Sequence, residues 1–299
     1  MARSSFRPTL KAPERPAGGL RILALAAIAL ALVPASGLAM TGDRLDRSRL
    51  VSTFSERFTA LDLYDAAKNP RGRWKTSYDF GWPANASSRT LDGEYEVYSD
   101  KAYNGVDPFR LLKTGLAIIA AKDAAPSDPR NGGKAYTSGL LTTSASFSQR
   151  YGYFEMQASL PAVPGAWPAF WLNAPFDPKV TTAQHNGEID VMEFLGGDPS
   201  RIYCSLHWPD GRGGYPFSTD QVLVSDETRP HAYGVLWTAD AIVWYVDGVE
   251  VNRRPNPGLH TPMIMLLNLA AGGWNNNVPP PSAPSMRMLV YRVDAYRIR

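Results

Sequence analysis

The chain has 299 residues, 44% hydrophobic and 20% charged, which supplies a large core and excludes an intrinsically disordered chain. Its formal charge of +3 sits at the N-terminus, because removing residues 1–39 leaves 26 Lys+Arg against 27 Asp+Glu, so nothing argues for a nucleic-acid partner. A single cysteine, Cys204, excludes an intrachain disulfide and leaves stability to the core.

The N-terminus reads as an export signal. Arg3, Arg7, Lys11, Arg15 and Arg21 precede the apolar run Ile22 to Val33, and small residues then allow cleavage after Ala39. The run is short for a membrane span, so a signal peptide over 1–39 is expected, with an uncleaved anchor as the alternative. The protein is then secreted or periplasmic, with no stable membrane partner. Residues 40–57 are polar and charged and read as a linker or short helix; residues 58–299 read as one domain. The 14 Tyr, 8 Trp, 25 Gly and 25 Pro suit a turn-rich β-protein.

Within that domain no long helical periodicity appears. Tyr153 to Leu160 and Ile202 to Trp208 alternate in polarity as half-buried strands do. "AIVWYVDGVEV" reads as a hairpin with Asp247-Gly248 as its two-residue turn. "PMIMLLNLA" is mostly apolar and reads as a buried strand, and "MLVYRVDAYRIR" alternates to the chain end. Pro126 to Ala135 and Pro209 to Gln221 read as loops. Many short strands with Gly/Pro turns and no intervening helices predict an all-β sandwich of two antiparallel sheets.

"GEIDVMEFLG", Gly187 to Gly196, carries three acids. On a strand Glu188 and Asp190 share one face, while Glu193, five residues from Glu188, points the other way. A bulge at Met192 shifts the alternation by one, returning Glu193 to the acidic face and Phe194 to the apolar one. Without it Glu193 is buried among apolar neighbours at a cost of several kcal/mol. Two carboxyls about 5–5.5 Å apart are what retaining glycoside hydrolysis requires, one as nucleophile and one as proton donor. Mutual repulsion then keeps one of them protonated. An exposed acidic strand or a calcium site is the alternative, although calcium loops carry a different Asn/Asp spacing.

The motif resembles the signature of glycoside hydrolase family 16, in the branch with one extra residue before the last Glu. Four further segments resemble that family in the same order: "GYFEMQASLPAVPGAWPAFWLN", "HAYGVLWTADAIVWYVDGVEV", "PMIMLLNLAAGGW" and "VDAYRI". The resemblance implies a concanavalin-like β-jelly roll whose concave sheet forms a polysaccharide cleft. It implies Glu188 as nucleophile, Asp190 as its assisting acid and Glu193 as general acid/base, with no cofactor for catalysis. Trp167, Trp171, His207 and Trp274 would line the cleft, Trp237 and Trp244 would pack in the core, and Asn268 shares a face with Leu266. Asp294 would help hold a structural Ca²⁺, though a single acid does not define such a site. His185 and Asn186 stand where laminarinase-like members carry other residues. The implied activity is endo-acting, retaining hydrolysis of a β-1,3/1,4-glucan or a bacterial exopolysaccharide by a monomer. A transglycosylase or a lectin-like binder are the alternatives, and Arg150 or Arg212 near the cleft would favour an acidic polymer.

Overall fold

The computed structural model describes residues 42–79, 88–91, 93–125, 127–175 and 187–299. The first strands are Leu50–Glu56 (β1), Glu96–Tyr98 (β2), Phe109–Leu112 (β3), Gly115–Lys122 (β4), Tyr136–Ser138 (β5) and Leu140–Thr142 (β6). Then come Gly152–Ser159 (β7), Ala166–Asn173 (β8), Glu188–Phe194 (β9), Arg201–His207 (β10) and Phe217–Leu223 (β11). His231–Trp237 (β12), Ala241–Val246 (β13), Val249–Pro255 (β14), Ile264–Ala271 (β15) and Met286–Ile298 (β16) complete the described set. Among the described residues they form a 10-stranded sheet, β14-β13-β12-β7-β16-β4-β5-β2 with β1 and β3 attached, and a 6-stranded sheet, β11-β10-β9-β8-β15-β6. Pairing is antiparallel except between β2 and β5. The expected two-sheet all-β sandwich is therefore present.

Alternation explains the core. Phe154, Met156 and Ala158 of β7 and Tyr233, Val235 and Trp237 of β12 pack in one buried cluster with Ile202, Cys204 and Leu206 of β10. β15 is apolar except for Asn268 because both its faces are covered. Met265, Leu267 and Leu269 enter that core, while Ile264 and Leu266 pack on Tyr78, Tyr98 and Trp171. Asp247 and Gly248 both have positive φ (51° and 74°), the geometry of a two-residue hairpin turn.

Two boundaries differ from expectation. Residues 50–56 are not a linker but β1, paired along the C-terminal strand β16; its exposed Ser52 and Ser55, and the charged run from Asp43 to Arg49 before it, disguised the strand. The loop after β10 ends earlier than read, because Phe217–Leu223 is the strand β11, whose alternation continues beyond the Gly/Pro-rich turn. The Pro126 to Ala135 stretch holds one short 3-10 turn, Pro129–Asn131. Residues 1–39, His185 and Asn186 lie outside the described residues. Among the described residues no helix is long and apolar enough to cross a membrane.

Asp294, on β16, does not fit the structural calcium considered above. Its Oδ1 accepts from Arg57 Nη1 at 2.8 Å and its Oδ2 from Arg292 Nη1 at 3.1 Å. The neighbouring buried Glu155 is paired with Arg47 at 2.5 Å and Arg292 at 2.7 Å. Guanidinium groups already supply the positive charge a cation would bring. Excess EDTA is therefore expected to leave the melting temperature unchanged, whereas Arg292→Ala costs on the order of 2 kcal/mol; differential scanning calorimetry reads both.

Candidate active site

β9 lies near the middle of the six-stranded sheet, and the register on both sides shows how the acids converge. On β10, His207, Ser205 and Tyr203 stand opposite Glu188, Asp190 and Glu193. On β8, Asn173, Trp171 and Ala169 stand opposite the same three acids. Three steps along β9 from Asp190 to Glu193 thus match two steps on each neighbour, which is a bulge. The residue without an opposite number on β8 is Val191, since Met192 faces Phe170; the extra residue is thus one position earlier than expected. Both Val191 and Met192 enter the core with Ile189 and Phe194. The indole N–H of Trp244, from the other sheet, donates to the Asp190 carbonyl at 2.8 Å, satisfying a backbone acceptor at the bulge.

All three acids line an open cleft of about 610 Å³, a volume suited to a ligand site. Glu188 accepts from Asn173 Nδ2 at 2.7 Å and lies 4.0 Å from His207 Nε2. Asp190 Oδ2 is 3.4 Å from the same nitrogen. Glu193 accepts from Trp167 Nε1 at 3.0 Å and from Ser205 Oγ at 3.3 Å. Burial raises all three above the ordinary carboxylate range. For Glu188 the charge of Asp190 adds to burial, and for Asp190 the charge of Glu193 does. For Glu193 the Trp167 hydrogen bond opposes burial most strongly. Three carboxyls so placed cannot all be ionised, so the site keeps a proton for donation. Glu188, Asp190 and His207 also offer donor atoms within 4.8 Å of one another, so they are the described residues that could approach a cation.

Trp167, Trp171, His207 and Trp274 all line the cleft, but in different ways. Trp171 is packed, 7% exposed, and its Nε1 donates to Asn268 Oδ1 at 2.9 Å. Trp274 is 38% exposed and meets Tyr203 edge-on, centroids 4.6 Å apart. The Trp167 ring lies against Gly273, whose φ is 101° and where a Cβ would come within 2.3 Å of the indole. Trp237 and Trp244 are core residues. Asn268 does face the cleft, because Leu266 lies on that same covered face.

Glu94, Tyr203, Phe217, Thr219 and Gln221 were not anticipated and also line the cleft. Tyr203 follows from the alternation that places Cys204 in the core. Phe217, Thr219 and Gln221 follow from period two along β11 once it is recognised as a strand. Arg212 is exposed on the turn after β10, and Arg150 lies over the Tyr151 ring, 5.4 Å from its centroid. Neither lines the cleft.

Trp167→Phe tests the Glu193 contact. The indole hydrogen bond favours the ionised carboxylate, so its loss raises the Glu193 pKa. If Glu193 donates a proton, the alkaline limb of the rate profile then moves to higher pH, by up to about one unit. A pH profile of kcat/KM reads the shift.

A triad of carboxyls, Asp190 buried and Glu188 and Glu193 partly so, lining a cleft on one sheet of a β-sandwich, defines a glycoside-hydrolase type of site, and the comparisons agree. The family model described as "Glycosyl hydrolases family 16" matches residues 76–288. The chain is 36% identical over 259 residues to endo-1,3-1,4-beta-glycanase ExsH of Rhizobium meliloti, covering 85% of this chain and 53% of that protein. It is 39% identical over 256 residues to endo-1,3-1,4-beta-glycanase EglC of the same organism, covering 84% and 52%. The chain thus spans about half the length of these curated relatives. Among solved structures it resembles the laminarinase catalytic domain of Thermotoga maritima (TM-score 0.66, 25% identity, covering 84% of this chain and 99% of that one). It also resembles the laminarinase of Rhodothermus marinus (TM-score 0.64, 25% identity, covering 84% and 98%). The chain belongs to glycosyl hydrolase family 16.

Proposed function

We propose that this chain is an exported, endo-acting, retaining β-glycanase that cleaves internal bonds of a neutral β-1,3/1,4-glucan. The observation that carries the reading is the bulge in β9, which brings Glu188, Asp190 and Glu193 to one wall of an open, aromatic-lined cleft. Glu188 attacks the anomeric carbon while Glu193 gives its proton to the leaving glycosidic oxygen, forming a glycosyl ester on Glu188. Glu193, now ionised, takes a proton from water as that water attacks the same carbon and the ester bond to Glu188 breaks. Asp190, next to Glu188 on the cleft face of β9, assists and orients the nucleophile.

The lining supports a neutral substrate. It includes Glu94 as well as the three catalytic acids and, among the described residues, no Lys or Arg, so an anionic sugar near the scissile bond meets like charge. The relatives named endo-1,3-1,4-beta-glycanases support the same linkage class. The basic and apolar N-terminal run supports export, and the open cleft needs no second subunit for its catalytic residues.

Reducing-end release and product sizing on laminarin, mixed-linkage β-glucan, agarose and an acidic exopolysaccharide test the reading. Rapid loss of polymer length on a neutral β-glucan is expected. Activity confined to the acidic polymer would overturn it.

A further inference from the structure

Beside the catalytic triad the cleft holds an acidic pair that the mechanism does not use. Glu94 is buried and lines the cleft wall. Its Oε2 accepts from the Leu91 N–H at 2.6 Å and its Oε1 from the Tyr98 hydroxyl at 3.1 Å. Glu96, two residues on, is wholly buried. Its Oε2 accepts from the Ala271 N–H at 2.7 Å, while its Oε1 has no donor. Burial, and then the neighbouring charge of Glu94, push the Glu96 carboxyl well above the ordinary carboxylate range, so the pair keeps one proton on Glu96. The ammonium of Lys134, held on the Glu94 carbonyl at 2.5 Å, stands close by.

Glu94 is also the end of a directed chain. Trp171 Nε1–H donates to Asn268 Oδ1 at 2.9 Å, Asn268 Nδ2–H to the Tyr98 oxygen at 2.8 Å, and Tyr98 O–H to Glu94. Each link fixes the polarity of the next, so the Tyr98 hydrogen is committed to Glu94. The chain starts from a tryptophan of the cleft floor and ends on a carboxylate of its wall. A buried carboxylate at such a place is costly unless something accepts its negative charge. Each of its oxygens still has a lone pair beyond the donor it already accepts.

We propose that Glu94 is a substrate-binding carboxylate, accepting hydrogen bonds from hydroxyls of a neutral glucose unit bound beside Trp171, with Glu96 behind it holding the proton that leaves the pair singly charged. The inference rests on the β-glycanase reading of the cleft and adds a specificity residue outside the catalytic triad. Charge-assisted bonds from sugar hydroxyls to a desolvated carboxylate bind tightly and discriminate by geometry. The same carboxylate repels a uronate at that position.

The test compares Glu94→Gln, Glu96→Gln and Tyr98→Phe with the wild type on β-glucan oligosaccharides of increasing length. Glu94→Gln removes the charge that the hydroxyls meet, and KM for oligosaccharides reaching that subsite rises about ten- to a hundredfold. The kcat of oligosaccharides too short to reach it stays within about threefold. Glu96→Gln has the shape of the protonated acid and leaves the Glu94 charge in place, so KM rises far less. Tyr98→Phe breaks the chain without touching the charge and raises KM by an intermediate factor, which keeps the test decisive should Glu94→Gln fail to fold. A Glu94→Gln enzyme with unchanged KM at every length, or a Glu96→Gln enzyme as impaired as Glu94→Gln, would overturn the proposal. Wild type inactive on every β-glucan would instead refute the underlying β-glycanase reading.

Discussion

Glu188→Gln is expected to abolish turnover, lowering kcat by roughly 10⁴-fold or more while leaving glucan binding nearly intact. The amide keeps the shape and the hydrogen bond partner Asn173, which lies 2.7 Å from the present carboxylate, but cannot attack carbon. Glu193→Gln should behave differently. Its loss matters for a sugar leaving group that needs a proton, and much less for an aryl glycoside whose leaving group is stable as an anion. With such a substrate the first step proceeds, the glycosyl ester accumulates, and a burst precedes a slow steady state. If both variants lost activity equally on aryl glycosides, the division of roles would be wrong. The Gln variant at position 188 should also be more stable than the wild type near neutral pH. Glu188 has a folded pKa raised above its unfolded value, so its contribution is present at low pH and lost as pH rises through the folded pKa. Removing the charge removes that loss, and the difference in melting temperature should vanish below about pH 4, where the unfolded carboxyl is protonated too.

Trp244→Ala should be the most damaging core substitution near the site, at about 3–5 kcal/mol. The side chain is 1% exposed and spans the two sheets to reach the Asp190 carbonyl at the bulge. Trp244→Phe separates the two contributions. It keeps much of the apolar volume but leaves that carbonyl without its donor, at about 1–3 kcal/mol. Because the acceptor belongs to the strand between Asp190 and Glu193, the Phe variant should also lower kcat more than KM. Chemical denaturation and steady-state kinetics on the same preparations read both. A Phe variant with wild-type kcat would mean that the indole contact stabilises the fold without positioning the acids.

The bulge was legible because two independent patterns, the acidic face and the apolar face, both broke at the same place. Neighbouring strands then decided which of Val191 and Met192 lacks a partner, and that cannot be read along β9 alone. Alternation likewise placed Cys204 in the core and His207 opposite it. What the sequence did not reveal came from contacts between distant segments. Glu94 reaches the cleft from an isolated bridge to Gly272, two residues before β2, and its hydrogen-bond partner Tyr98 meets Asn268 across 170 residues of sequence. Asp294 looked like a lone surface acid or calcium ligand until Arg57 and Arg292 were seen on its two oxygens. β1 was hidden because the serines on its exposed side and the charged run before it resemble a linker.

The central claim is that Glu188 forms a covalent bond to the sugar while Glu193 serves as acid and base. A 2-deoxy-2-fluoro β-glucosyl oligosaccharide with a good leaving group slows both steps and traps the intermediate, and peptide mass mapping then locates it. One label per chain on Glu188 is expected, released by slow turnover, and none in Glu188→Gln. A label on Glu193, or a first-formed product with inverted anomeric configuration by proton NMR, would contradict it.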